Sequence, residues 1–422
     1  MEQEKRKMWQ YPWRYKESIA FILGIIVVGF VLQITIGNFD FSLLQFPVNI
    51  IVGGIIVIIL VLSLFFRKSY FLKWISGVPF SVTAIAAILL LGLIMGLTPQ
   101  SIGHTHTSAD SNIFFTLGFD RMTSSWSFVL VYCITLLTLG LVIVRRLTSF
   151  RLNDYAFYFN HIGLWILLFS AGLGSSDMRR YVMHVREGET EWRVYSENKD
   201  ILELPIAIEL NDFYMEEYPP NLVVIDRGTG VAQPENKPEY FHIDEKRKVQ
   251  KIDKWELTME EYIHEAIRNS DSTYQAVPMP GSSPAIKVNV RNTENNDVKS
   301  GWVCSGNISQ LYMVLNLDST YCVAMTQPEP KRFVSDINVY MKDGVSAHTL
   351  LEVNKPYKAG SWMLYQYDYD KDAGKMSTYT SIELVYDPWI VPVYIGIGLF
   401  ALGSICMLWT GNKRKEEQDD ME

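Results

Sequence analysis

Tyr155-Ala-Phe-Tyr-Phe-Asn-His-Ile-Gly-Leu-Trp-Ile-Leu-Leu-Phe-Ser-Ala-Gly-Leu-Gly174 runs for 20 residues without a charged side chain, apart from one titratable histidine. Wound as an α-helix at about 1.5 Å per residue, it reaches about 30 Å, the thickness of a bilayer's hydrocarbon core. A helix on the surface of a soluble domain would carry charge along one face. This one carries none, and is predicted to cross a membrane.

Five further runs meet the same test: Ser18 to Gly37, Phe46 to Phe66, Phe80 to Leu97, Ser127 to Val144, and Trp389 to Trp409. Basic residues alternate between the loops, with Lys5, Arg6, Lys7, Arg14 and Lys16 before the first run and Arg67, Lys68 and Lys73 after the second. Arg145, Arg146 and Arg151 follow the fourth, and Lys413, Arg414 and Lys415 the last. Short cytoplasmic loops are enriched in Lys and Arg, so these four segments, both termini among them, are predicted to be cytoplasmic. The loops from Asn38 to Gln45 and Pro99 to Trp126 then lie outside, as does the long stretch from Ser175 to Asp387. The first run is too long for a removable leader and lacks a small-residue cleavage site, so it is expected to remain as an anchor.

The outer stretch is long enough for a core of its own. Ile206–Leu210, Leu222–Ile225, Ala285–Val290, Leu311–Leu315, Ile337–Tyr340, Trp362–Tyr367 and Ser381–Val385 are β-branched or aromatic-rich and are bounded by Gly, Pro, Asn and Asp, as strands are. The expected fold is a polytopic α-helical membrane protein of about six transmembrane helices with a large extracytoplasmic, mainly-β domain. Lys254 to Asn269, charged and with Leu257, Tyr262 and Ile267 among the charges, is expected to be a surface helix. The domain boundaries follow: 1–74 two spans, 75–174 three spans with the outer loop 99–126, 175–387 the β-rich domain, 388–410 the final span, and 411–422 an acidic tail.

The formal net charge of −8 excludes a nucleic-acid partner, which needs clustered cations. Four cysteines, none in a Cys-x-x-Cys arrangement, exclude a zinc ribbon or a c-type cytochrome. No nucleophile elbow, His-Glu-x-x-His, phosphate loop or dinucleotide fingerprint is present, so no catalytic residue is assigned.

His161, next to Asn160, lies six residues into its span, about 9 Å deep. A titratable group at that depth either makes an interhelical hydrogen bond or serves a ligand or an ion path, and a neutral imidazole suits haem iron without adding a buried charge. His104 and His106, two apart in an outer loop, and His184, just beyond the fifth span, are weaker candidates beside the reading of hydrated surface histidines. Cys304 and Cys322 can form a disulfide in an oxidising compartment or act as free thiols.

Several strings, in order, resemble the ResB (CcsB) family, a membrane subunit of system II cytochrome c biogenesis. Gly96-Leu-Thr-Pro-Gln100 closes the third span. Gly118-Phe-Asp-Arg-Met-Thr-Ser-Ser-Trp-Ser-Phe128 opens the fourth, and Arg145-Arg146 follows it. Asn160-His-Ile-Gly163 and Glu187-Gly-Glu-Thr190 come next. Leu204-Pro-Ile206, Asp212-Phe213, Ser335-Asp336, Val353-Asn354, Pro356-Tyr357, Tyr365-Gln366 with Tyr369, and Asp387-Pro388 complete the series. The resemblance covers Phe80 to Trp409, is thin from Gly228 to Asn307, and departs at Ser127 and Trp389, where the family carries tryptophan and glycine.

The resemblance implies an accessory, non-catalytic subunit of a cytochrome c haem-lyase complex in the bacterial inner membrane. His161 would be an axial ligand of a non-covalent, transported haem b, with Asn160 and Trp165 lining it. The implied partners are a ResC/CcsA-type membrane subunit, apocytochrome c with its Cys-x-x-Cys-His thiols, a thioredoxin-like reductant and membrane lipid. The alternatives are a haem-free transporter or export subunit, and a membrane-anchored scaffold or sensor whose β domain binds a partner.

Overall fold

A computed structural model describes residues 9–100, 113–196, 200–244, 248–269 and 272–419. It divides into a helical unit, residues 1–179 with 387–422, and a β unit, residues 180–386.

The helical unit contains α1 (Tyr15–Ile36), α2 (Val48–Ser63), α3 (Tyr70–Ile75), α4 (Val78–Leu97), α5 (Ile113–Thr116), α6 (Trp126–Leu147), α7 (Tyr155–Gly174) and α8 (Ile390–Asp419). Among the described residues, five helical segments are long and apolar enough to cross a membrane, and α2 is a shorter apolar helix. The second of the six expected spans is thus cut to 16 residues. Pro47 sets its start, and the chain leaves the helix in turns before Arg67 and Lys68. Side chains such as Ile34, Ile58, Leu89 and Leu93 point outward, as a lipid-facing surface requires.

The two N-terminal helices are packed into this unit rather than appended to it. On α1, Gly29 meets the backbone of Ser127 on α6, where an added Cβ would lie 2.5 Å from Ser127 Cα. The Ser127 hydroxyl donates to the Ile26 carbonyl at 3.1 Å. A tryptophan at 127 would collide with α1, which accounts for the small residue there. Gly53 of α2 faces the Phe169 ring of α7. Gln100 links two of the motif strings: its amide nitrogen donates to the Phe119 carbonyl at 2.9 Å, and its amide oxygen accepts from the Met122 N–H at 3.1 Å.

The β unit is two sandwiches. In chain order its strands are β1 (Arg179–Arg186), β2 (Thr190–Tyr195), β3 (Ile201–Glu217), β4 (Asn221–Asp226), β5 (Tyr240–His242), β6 (Val249–Ile252), β7 (Trp255–Arg268), β8 (Tyr274–Ala276) and β9 (Ser283–Asn292). They continue with β10 (Val298–Cys304), β11 (Leu315–Asn316), β12 (Tyr321–Met325), β13 (Pro330–Met341), β14 (Ser346–Glu352), β15 (Tyr357–Ala359), β16 (Trp362–Tyr369) and β17 (Tyr379–Tyr386).

Sheets β1-β17-β16-β15 and β14-β13-β3-β2 enclose one core, with Ile208, Leu210, Ile337, Val339, Leu364 and Leu384 fully buried. Sheets β11-β12-β4-β5 and β10-β9-β7-β6 enclose a second, built on Leu222, Val224, Phe241, Leu257, Ile286 and Val288. Inward residues alternate with outward ones along these strands, which is the period-two pattern of a sheet with one buried face. The second sandwich interrupts the first between β3 and β13, and the described residues of the stretch 228–307 lie within it.

Two expectations fail here. Lys254–Asn269 is not a helix, since β7 pairs with β6 and β9 along it. Trp255, Leu257 and Met259 are buried in strand alternation, but irregularities after Met259 and Ile263 shift the phase and hide the pattern. Leu311–Leu315 is mostly loop, with Leu311 and Tyr312 exposed and only Leu315 in a strand.

In the first sandwich several motif residues meet. Ser335 Oγ lies 2.6 Å from Gln366 Oε1 and 2.8 Å from Thr380 Oγ1, and Gln366 Nε2 donates to Thr380 Oγ1 at 2.8 Å. All three side chains are buried. Phe213 stacks on Tyr369, with ring centroids 5.4 Å apart. Ser335→Ala should leave the buried Gln366 amide oxygen without its donor and cost about 1 to 3 kcal/mol. A lowered thermal midpoint of the full chain in detergent checks this, and an unchanged midpoint would contradict it.

Candidate functional site

Helix α7 presents different residues to two sides. On one, Phe157, His161, Trp165 and Phe169 form a row at i, i+4 spacing. The His161 ring lies against Phe157, with centroids 3.8 Å apart and planes 27° from parallel. Its Nδ1 is 3.1 Å from the Phe157 carbonyl oxygen. A carbonyl can only accept, so Nδ1 holds the proton of the neutral ring and Nε2 keeps the lone pair. Among the described residues Nε2 has no hydrogen-bond partner, and the side chain is half-buried.

One turn on, Trp165 stacks on Phe169 at 4.6 Å. Its indole Nε1 is buried without a hydrogen-bond partner and lies over Gly140 of α6, where an added Cβ would come within 2.9 Å. Trp165 therefore shares the face of His161. Neither cavity described below is lined by His161.

Asn160 serves the other side. Its amide nitrogen donates to Ser404 Oγ of α8 at 2.8 Å. Glycines bring α7 and α8 together: Gly163 against the backbone of Leu399 and Phe400, Gly396 against Leu167, and Gly403 against Asn160. Asn160 holds two helices together and does not line the His161 face.

The remaining candidates are dispersed. His184, on β1 in the β unit, is exposed and bonds Ser381 Oγ through Nδ1 at 2.8 Å. His104 and His106 lie outside the described residues. The disulfide is not formed: Cys304 and Cys322 are both buried free thiols. Cys304 fills a small cluster with Ala266, Tyr274 and Ala285, whereas Cys322 sits on β12 opposite Ile225. Among the described residues no group of three or more His, Cys, Asp or Glu is placed to hold a metal ion.

A polar knot escaped the sequence reading. The Asp177 carboxylate accepts from the Phe46 N–H at 2.8 Å, Asn49 Nδ2 at 2.7 Å and Trp389 Nε1 at 2.8 Å. It thereby ties the start of α2 and the lead-in to α8 to the end of α7. Asn49 is fully buried and also donates to the Leu173 carbonyl at 3.1 Å. The Trp389 ring covers Gly174, which explains a tryptophan at that position. The only sequence signal was an asparagine inside an apolar run. A cavity of about 450 Å³ lies nearby, lined by aromatic and aliphatic side chains that include Phe39, Trp126, Tyr132 and Phe169.

No family model matches the chain, and no curated protein matches it. Among solved structures, a cytochrome c haem lyase, CcmF, aligns with 87% of this chain and 46% of its own length, at 12% identity and a TM-score of 0.19. The chain thus spans about half the length of that protein.

Proposed function

We propose that this chain is a haem-holding membrane subunit of a cytochrome c maturation machinery of the system II type, with His161 Nε2 as one axial ligand of a b-type haem. The observation that carries the reading is the orientation of the imidazole: Nδ1–H donates to the Phe157 carbonyl, and among the described residues the Nε2 lone pair is unpartnered about 9 Å along an apolar helix. Haem-ligating histidines are oriented in this way, by donating the other ring nitrogen to a carbonyl or carboxylate. The donor set fits, because a neutral nitrogen ligand introduces no charge into the apolar surroundings.

When bound, haem supplies the iron and the vinyl groups that react with the two thiols of an apocytochrome. Phe157 holds the plane of the imidazole, and Trp165 provides an aromatic neighbour one turn away. One histidine supplies one axial bond, so the second ligand is assigned to a helix of a ResC/CcsA-type partner. The β unit, on the outer side if the basic loops are cytoplasmic, is assigned to meeting that partner or the apocytochrome.

The test is the reduced-minus-oxidised visible spectrum of the detergent-purified complex. His161→Ala should lose at least 80% of a b-type signal, and added imidazole should recover it. A signal that is absent from both proteins, or equal in both, would leave His161 as a packing residue and favour a haem-free scaffold or transporter.

A further inference from the structure

At the end of the helical unit where the basic loops gather, a cavity of about 470 Å³ opens between the C-terminal end of α2, α3 and the last turn of α6. Four cations line it: Arg67, Lys68, Lys73 and Arg145. No acidic side chain lines it, and among the described residues none of the four is ion-paired to a carboxylate. The adjacent Arg146 differs, because Asp154 neutralises it at 2.8 Å. Arg145 is held in place by other means, its guanidinium donating to the Ser76 carbonyl and hydroxyl oxygens at 3.3 Å each.

The floor is apolar, formed by Leu72, Leu141 and Val144. Short α3 is pinned from below by buried Trp74 and Ile75, with Trp74 Nε1 donating to Ser18 Oγ at 3.0 Å. Phe65, Phe66, Tyr70 and Phe71 are exposed beside the cations. Exposed aromatics next to Lys and Arg at the end of apolar helices mark the headgroup level of a bilayer. Unneutralised cations over an aliphatic floor match an amphiphile with an anionic head, whereas a free ion would have no use for the floor.

We propose that this cavity is a binding site for an anionic phospholipid, with its headgroup phosphate against Arg67, Lys68, Lys73 and Arg145 and an acyl chain along Leu72, Leu141 and Val144. Basic pockets between helices at a membrane surface recognise phosphate-bearing headgroups by this combination of charge and depth. The site does not depend on the haem reading, and no residue is shared between them.

Native mass spectrometry of the full chain in detergent tests it, with phosphatidylglycerol, phosphatidylcholine and inorganic phosphate as probes. Retention of phosphatidylglycerol should exceed that of phosphatidylcholine at least tenfold. The pair Lys68→Gln with Lys73→Gln should lower it about tenfold, and Arg145→Gln should do the same if the variant remains monodisperse. Arg151→Gln, a basic residue outside the cavity, should have no effect. Equal retention of the two lipids, or equal loss with Arg151→Gln, would overturn the proposal. Displacement of phosphatidylglycerol by millimolar inorganic phosphate would overturn the lipid assignment and leave a site for the phosphate group alone.

Discussion

Gly403→Leu should separate the last helix from the membrane unit, whereas Gly398→Leu, five residues away on the same helix, should be tolerated. A Cβ at 403 would overlap the backbone of Asn160, and backbone cannot move aside as the end of a flexible side chain can. At 398 nothing lies within 4 Å of the added atom. Overpacking typically costs about 1 to 3 kcal/mol, and with Gly163 and Gly396 in the same seam the upper figure is expected. Leucine at 398 gains up to about 1 kcal/mol of helix propensity instead. Cross-linking reads the difference: with Asn160→Cys and Ser404→Cys in the background, oxidation should join α7 to α8 in Gly398→Leu and fail in Gly403→Leu. Equal cross-linking in both would show that this seam does not hold the helix.

Asp177→Ala should be the most damaging single change outside the apolar segments. It leaves the Phe46 N–H and the Trp389 indole without an acceptor and takes one of its two acceptors from the buried Asn49 amide, at about 1 to 3 kcal/mol for a buried donor. A loss of about 3 kcal/mol is expected, read as a fall in thermal midpoint. The carboxylate also titrates: burial opposes its charge, but the hydrogen bonds from Trp389, Phe46 and Asn49, with Arg179 nearby, outweigh burial and hold its pKa below the usual aspartate value. A depressed folded-state pKa stabilises the fold at pH values above the unfolded pKa, about 3.9, and that contribution disappears as pH falls through the folded value. The wild-type midpoint should therefore decline below about pH 4 more steeply than that of Asp177→Ala. Parallel curves would remove Asp177 from the acid response.

The helical half of this protein is legible because freedom from charge over some twenty residues is a strong and local signal. Where it misled, at α2, the apolar run continued past the helix into Phe65 and Phe66, which lie in a turn. The β half is legible as alternation, and β7 was lost because two irregularities reset its phase. His161 stands out as a polar residue in an apolar helix, while its free Nε2 depends on which nitrogen meets the Phe157 carbonyl, a matter of rotamer. Asp177 gives no such sign. It lies just past the end of its helix, and its partners are 131, 128 and 212 positions away. Ser127 and Trp389, departures from the resembled pattern, follow from Gly29 and Asp177, neither of which any local pattern connects to them.

Pro330 is paired with Glu217 at the end of the β3–β13 ladder, and the Tyr218 N–H donates to the Glu329 carbonyl at 2.8 Å. The chain thus leaves the first sandwich and returns to it side by side, one hydrogen bond apart. A tight hairpin could close that doorway without disturbing the ladder behind it, and any body whose own ends lie as close could occupy the same doorway. In terms of chain connectivity the second sandwich is an insertion: its length and content can change without altering the register of the β3–β13 ladder that admits it.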